Sequence, residues 1–62
     1  MNIGTLLTPN EYMTQNNKKT TGVIIEVRED IFGVEYKVFL APQGFSKWLD
    51  RVTIESLFEV HK

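Results

Sequence analysis

Two stretches of the chain, Gly22–Arg28 and Val34–Leu40, carry β-branched and aromatic residues of the kind that pleated strands favour, and they stand on either side of Asp30-Ile31-Phe32-Gly33. In the first stretch Val23, Ile25 and Val27 alternate with Ile24, Glu26 and Arg28. In the second Val34, Tyr36, Val38 and Leu40 alternate with Glu35, Lys37 and Phe39. A side-chain period of two puts each set on one face of a strand, so the pair reads as a β-hairpin with Asp30–Gly33 as its loop. Charge selects the register. With Glu29 opposite Val34, Arg28 faces Glu35 and Glu26 faces Lys37, two opposite-charge pairs that stabilise by roughly 0.2–1 kcal/mol each. Sliding by one pair sets Glu26 against Glu35 instead. On the other face Val27 then meets Tyr36, Ile25 meets Val38 and Val23 meets Leu40, which leaves Ile24 opposite Phe39 on the outer side.

The flanks supply further elements. Ala41-Pro42-Gln43-Gly44-Phe45 reads as a three-residue hairpin loop with a bulge, Pro presetting the first turn position and Gly taking the left-handed one. That loop sets Trp48 opposite Val38, in the core, with Leu49 opposite Lys37 and Lys47 opposite Phe39 on the outer face. The third strand is expected from about Phe45 to Arg51, followed by a turn at Thr53–Ser56 and a last strand from Leu57 to Val60. Upstream, Ile3–Leu7 reads as a short strand. Thr8-Pro9-Asn10-Glu11 carries a capping-box signal with Thr8 as N-cap, which predicts one helical turn over Pro9–Met13. The polar run Gln15–Thr21, with Lys18 and Lys19, reads as an exposed loop.

A chain of 62 residues has room for one domain. A domain of that size buries only roughly 60% of the surface its unfolded chain exposes. With no Cys there is no disulfide to compensate, and His61 alone makes no zinc site. Efficient packing or association with another chain remains. The order of strand, long loop, three-stranded meander, helical turn and short strand is that of an all-β, SH3-like barrel of about five strands. It forms a single domain over 1–62, with the first strand and long loop in 1–21 and the meander, helical turn and last strand in 22–62.

The segments Ile3–Pro9 (IGTLLTP), Thr21–Asp30 (TGVIIEVRED), Tyr36–Leu40 (YKVFL) and Trp48–Val60 (WLDRVTIESLFEV) resemble the small SH3-like proteins of tailed bacteriophages, whose grammar is shared by Tudor-like and KOW-like barrels. The resemblance implies the barrel fold. It also implies one of the roles such proteins fill: virion adaptor, inhibitor of a host enzyme, or nucleic-acid binder. A place in the host cytoplasm or the virion goes with it.

Chemistry narrows the choice. Net charge is −1, so the chain lacks the overall basic surface that non-specific nucleic-acid binding requires. No apolar run is long enough to cross a membrane, and no charged start with an apolar stretch marks a signal peptide. His61 stands next to the end of the chain, a poor position for a catalytic base. The glycines are scattered singly and form no phosphate loop. Glu29 and Asp30 stand together at a hairpin loop, without the pocket that would tune a carboxylate. The expectation is a protein with no catalytic role, no cofactor and no metal.

What remains is apolar surface. In the register above Ile24, Phe39 and Leu49 cluster on the outer face, Ile31 and Phe32 stand in the hairpin loop, and Arg28, Lys37 and Lys47 form a polar rim. This set predicts a surface for another protein or a second copy of the chain, unless the N-terminal segment with Leu6, Tyr12 and Met13 folds over the cluster and Ile31 and Phe32 fold back onto the end of the barrel, the favoured reading of that pair. The alternatives are a nucleic-acid-binding barrel, using Arg28, Lys37, Lys47 and Arg51 interleaved with Phe39, and a phage inhibitor of a host protein.

Overall fold

A computed structural model describes residues 1–16 and 19–61; Asn17, Lys18 and Lys62, and with them part of the expected polar loop, lie outside the described residues. The elements run β1 (Leu6–Pro9), α1 (Glu11–Gln15), β2 (Thr21–Asp30), β3 (Gly33–Ala41), β4 (Phe45–Asp50), α2 (Arg51–Leu57) and β5 (Phe58–His61). The strands form one antiparallel sheet in the order β4-β3-β2-β1-β5. The sheet is not closed by strand pairing: β4 and β5 are its two edges, and α2 joins them while touching both.

The hairpin forms in the expected register at its distal end, where Glu29 pairs with Val34, Arg28 with Glu35, Val27 with Tyr36 and Glu26 with Lys37. The ladder continues to Asp30 and Gly33, leaving Ile31-Phe32 as the turn. Asp30 and Gly33 are the residues a type I turn favours at its first and fourth positions, and the Asp30 carboxylate accepts from the Phe32 N–H at 2.8 Å. Both charge pairs form, Arg28–Glu35 at 2.6 Å and Lys37–Glu26 at 3.7 Å.

Nearer the core the register departs from expectation. A bulge at Ile25 shifts the pairing, so that Ile24 meets Val38, Val23 meets Phe39 and Gly22 meets Leu40. The extra residue exchanges the faces of the strand. Ile24 is therefore fully buried at 0% exposure and Ile25 is 38% exposed, the reverse of the sequence reading. Close packing supports this arrangement: a Cβ on Gly22 would lie 2.7 Å from Val38 Cγ1, so the inward position beside Val38 suits only glycine.

The second turn also differs. Gly44 has φ +81 and donates its N–H to the Leu40 carbonyl at 2.8 Å, so the chain closes around four residues and Leu40 pairs with Phe45. That displaces β4 by one residue from the expected register. Trp48 faces Lys37 rather than Val38, Leu49 faces Tyr36, and Lys47 faces Val38. Trp48 consequently leaves the core side for the outer face, while Leu49 and Lys47 move to the core side.

At the N-terminal end the strand begins later and the helix is capped later than the sequence suggests. β1 runs through Pro9, which pairs with Phe58, and Asn10 rather than Thr8 is the N-cap of α1. Its side-chain oxygen accepts from the Met13 N–H at 3.0 Å, and its amide donates to the Ser56 carbonyl at 2.7 Å, tying α1 to α2. Asp50 caps α2 in the same manner through the Thr53 N–H at 2.8 Å, which makes a helix of the expected short turn. The core consists of Leu7, Met13, Ile24, Tyr36, Val38, Leu40, Ile54 and Phe58, with Leu49, Leu57 and Val60 among the residues packed at its margin.

Candidate partner-binding surfaces

The pairing ladders bring the outer-face residues into rows. One row crosses the sheet as His61, Leu6, Val23, Phe39 and Ser46, and the next contains Glu26, Lys37 and Trp48. Leu6 is 49% and Phe39 39% exposed, and Trp48 is half-buried one diagonal step from Phe39. An outer apolar cluster therefore exists, but of the three members expected from sequence only Phe39 belongs to it. The bulge replaces Ile24 by Val23, and the longer turn replaces Leu49 by Trp48. Leu6 joins from β1, and the N-terminal segment does not cover the cluster: Met13 is core and Tyr12 lines a groove with core-side residues.

Charges surround this face without giving it a sign. The Arg28 guanidinium lies 4.2 Å from the centre of the Trp48 ring and Lys37 Nζ lies 6.0 Å away. Each cation also holds its carboxylate partner across the strands, and such contacts are worth about 0.5–1 kcal/mol at exposed sites. Lys47 lies on the other side of β4, and Arg51 pairs with Glu55 at 3.4 Å along α2. The four cations expected to serve a nucleic acid are thus not brought to one surface.

The hairpin turn is a second surface. Ile31 is 91% and Phe32 90% exposed, at the end of an arm formed by the outer parts of β2 and β3. They do not fold back onto the end of the sheet. The residues beside them, Glu29 and Asp30, are exposed acids.

A third feature had no sequence signal. Between α1, β4 and the end of α2 runs an open groove of about 330 Å³, lined mainly by Tyr12, Leu40, Phe45, Leu49 and Leu57, with Lys47 as the one charged side chain among the described residues of its lining. The hydrogen bond from Gln43 Nε2 to Thr20 Oγ1, at 2.9 Å, joins two further lining residues. Another hollow of about 510 Å³ lies between Met1–Thr5 and His61. His61 is not a loose tail: it pairs with Leu6 in β5, and its Nε2 stands 2.7 Å from Thr8 Oγ1.

Asp50 is an acid whose proton affinity the fold lowers. The hydrogen bonds from Thr53 hold its carboxyl below the ordinary value of 3.8. That serves the cap of α2. Among the described residues no three His, Asp or Glu side chains gather as a metal ion would need, and no helix is long and apolar enough to cross a membrane. Comparison with protein-family models, with curated proteins and with solved structures finds no match to this chain.

Proposed function

We propose that the chain is a small non-catalytic binding module, an SH3-like barrel of the phage type, that docks on another protein chain through its hairpin turn. The observation that carries this reading is the pair Ile31 and Phe32, each about nine-tenths exposed at the end of a projecting arm. An exposed aromatic–aliphatic pair gains nothing for the fold of its own chain, whereas burial of a Phe side chain in a partner's pocket contributes roughly 1.5–3 kcal/mol. The strand order β4-β3-β2-β1-β5, with a helix before the last strand, supports the SH3-like reading. The phage context rests on the sequence resemblance.

The test is purification of the tagged chain from the cells that make it, after nuclease treatment, with the I31S/F32S double variant in parallel. A protein held in fixed stoichiometry by the wild type and lost from the variant supports the module. The variant's own stability changes by no more than about 0.5 kcal/mol, as for surface positions without structural contacts. Retention of nucleic acid that falls steeply with salt, unchanged in the variant, overturns the reading in favour of a nucleic-acid-binding face around Phe39 and Trp48.

A further inference from the structure

We infer that the groove between α1, β4 and α2 is the receptor for the hairpin turn of a second copy of this chain, so that copies associate head to tail. The inference rests on the docking role of Ile31 and Phe32 and names their partner.

Three observations converge on it. The turn is apolar, exposed and narrow, and the groove is apolar, open and about 330 Å³ in volume. Their charges are complementary: Glu29 and Asp30 stand beside the turn, while Lys47 lines the groove. Turn and groove also lie toward opposite ends of β3. Gly33 adjoins the turn and Leu40 lines the groove, and seven strand residues at about 3.3 Å each separate them by roughly 23 Å. A chain cannot fill its own groove with its own turn, so a turn that enters the groove belongs to another copy. A second copy supplies an apolar turn with the matching charge.

A contact between two different patches is heterologous, and its repetition gives a closed ring or an open filament rather than a symmetric dimer. Two inserted side chains bury far less than the roughly 1,200–2,000 Å² of a stable standard interface. Each contact is therefore weak, and association rises with concentration.

Sedimentation velocity on the purified chain, from micromolar to millimolar concentration, tests this together with two variants. I31S/F32S removes the turn and leaves the groove. Phe45→Glu blocks the groove at a half-exposed position and leaves the turn. If circular dichroism shows that Phe45→Glu fails to fold, Lys47→Glu takes its place. The expected result is a wild-type mass that rises past that of a dimer, each variant monomeric alone, and an equimolar mixture of the two variants that forms a 1:1 heterodimer and nothing larger. Only one intact turn and one intact groove remain in that mixture. A wild type that stays monomeric overturns the inference, and so does a mixture that stays monomeric or self-association that survives in I31S/F32S. None of these results bears on docking to a different protein, which the capture experiment with I31S/F32S decides separately.

Discussion

A methyl group added to Gly22 would meet the stiff, branched side chain of Val38, whose Cγ1 would lie 2.7 Å from it, with Leu7 Cδ1 and Leu40 Cδ2 each at 3.5 Å. These neighbours are core residues with little room to yield, so Gly22→Ala is expected to destabilise by about 1–3 kcal/mol through overpacking. Urea unfolding would register this as a lower midpoint at unchanged slope; an unchanged midpoint would mean that Val38 moves aside freely. Asp50 acts at the same scale through charge. Its folded-state pKa lies below its unfolded value, so the unfolded chain takes up the proton first as pH falls. The stabilisation is fully present above the unfolded value near 3.8 and is lost as pH falls through the lower folded value. Asp50→Asn keeps a capping oxygen for the Thr53 N–H but removes the titration. The stability gap between wild type and D50N, followed by thermal melts, should hold at neutral pH and shrink in acid. A gap that persists unchanged at the lowest pH would show that the charge of Asp50 has no part in the cap.

Among the elements, β2 decides which residues the molecule hides and which it offers. The bulge at Ile25 makes Ile24 core and leaves Ile25 partly in solvent, so Ile24→Ala is expected to destabilise by about 2–5 kcal/mol and Ile25→Ala by less than about 1 kcal/mol. A continuous ladder without the bulge requires the opposite ranking, and chemical denaturation of the two variants separates the cases. Sequence could read the distal hairpin because its outer positions carry charges: Glu26, Arg28, Glu35 and Lys37 admit one favourable register. It could not read the proximal half because Val23, Ile24 and Ile25 are all apolar and β-branched, so nothing in the pattern marks where an extra residue is absorbed. The turn at Pro42-Gln43-Gly44 was ambiguous for a related reason. Its residue types suit a loop of three or four, and one residue decides whether Trp48 or Leu49 faces the interior. Hence the pattern places Phe39 on the outer face and a turn at Ile31-Phe32, but it does not decide whether those two side chains fold back or project, it sets the other cluster members one residue out of place, and it carries no sign of the groove. The groove depends on how α1 and α2 sit against β4, which no local pattern encodes.

For the molecule as a whole, its shape follows from where the core ends. The eight core residues extend along the hairpin only as far as Tyr36, and no residue from Arg28 to Glu35 is buried. The chain is 35 Å long but only 21 and 19 Å across, consistent with an arm that projects beyond a small globule. That arm is held by its ladder, the Arg28–Glu35 pair and the Asp30–Phe32 turn bond, all facing water. Amides held in this way open locally at far lower free energy than the whole fold, whereas those beside Ile24 and Val38 open only with global unfolding. Native-state hydrogen exchange should therefore show weak protection from Arg28 to Glu35 and protection near the global limit from Tyr36 to Leu40. Equal protection along both halves of the hairpin would mean that the arm is part of one cooperative unit, stiffened by something other than the core. The contrast also bears on head-to-tail association. Seating the turn in a neighbour's groove removes the freedom of the arm without altering the interior, so raising the concentration should slow exchange from Arg28 to Glu35 and leave Tyr36–Leu40 unchanged. If exchange in the arm does not depend on concentration while the chain associates, the copies meet through another surface, and the outer row of Leu6, Val23 and Phe39 becomes the face to substitute.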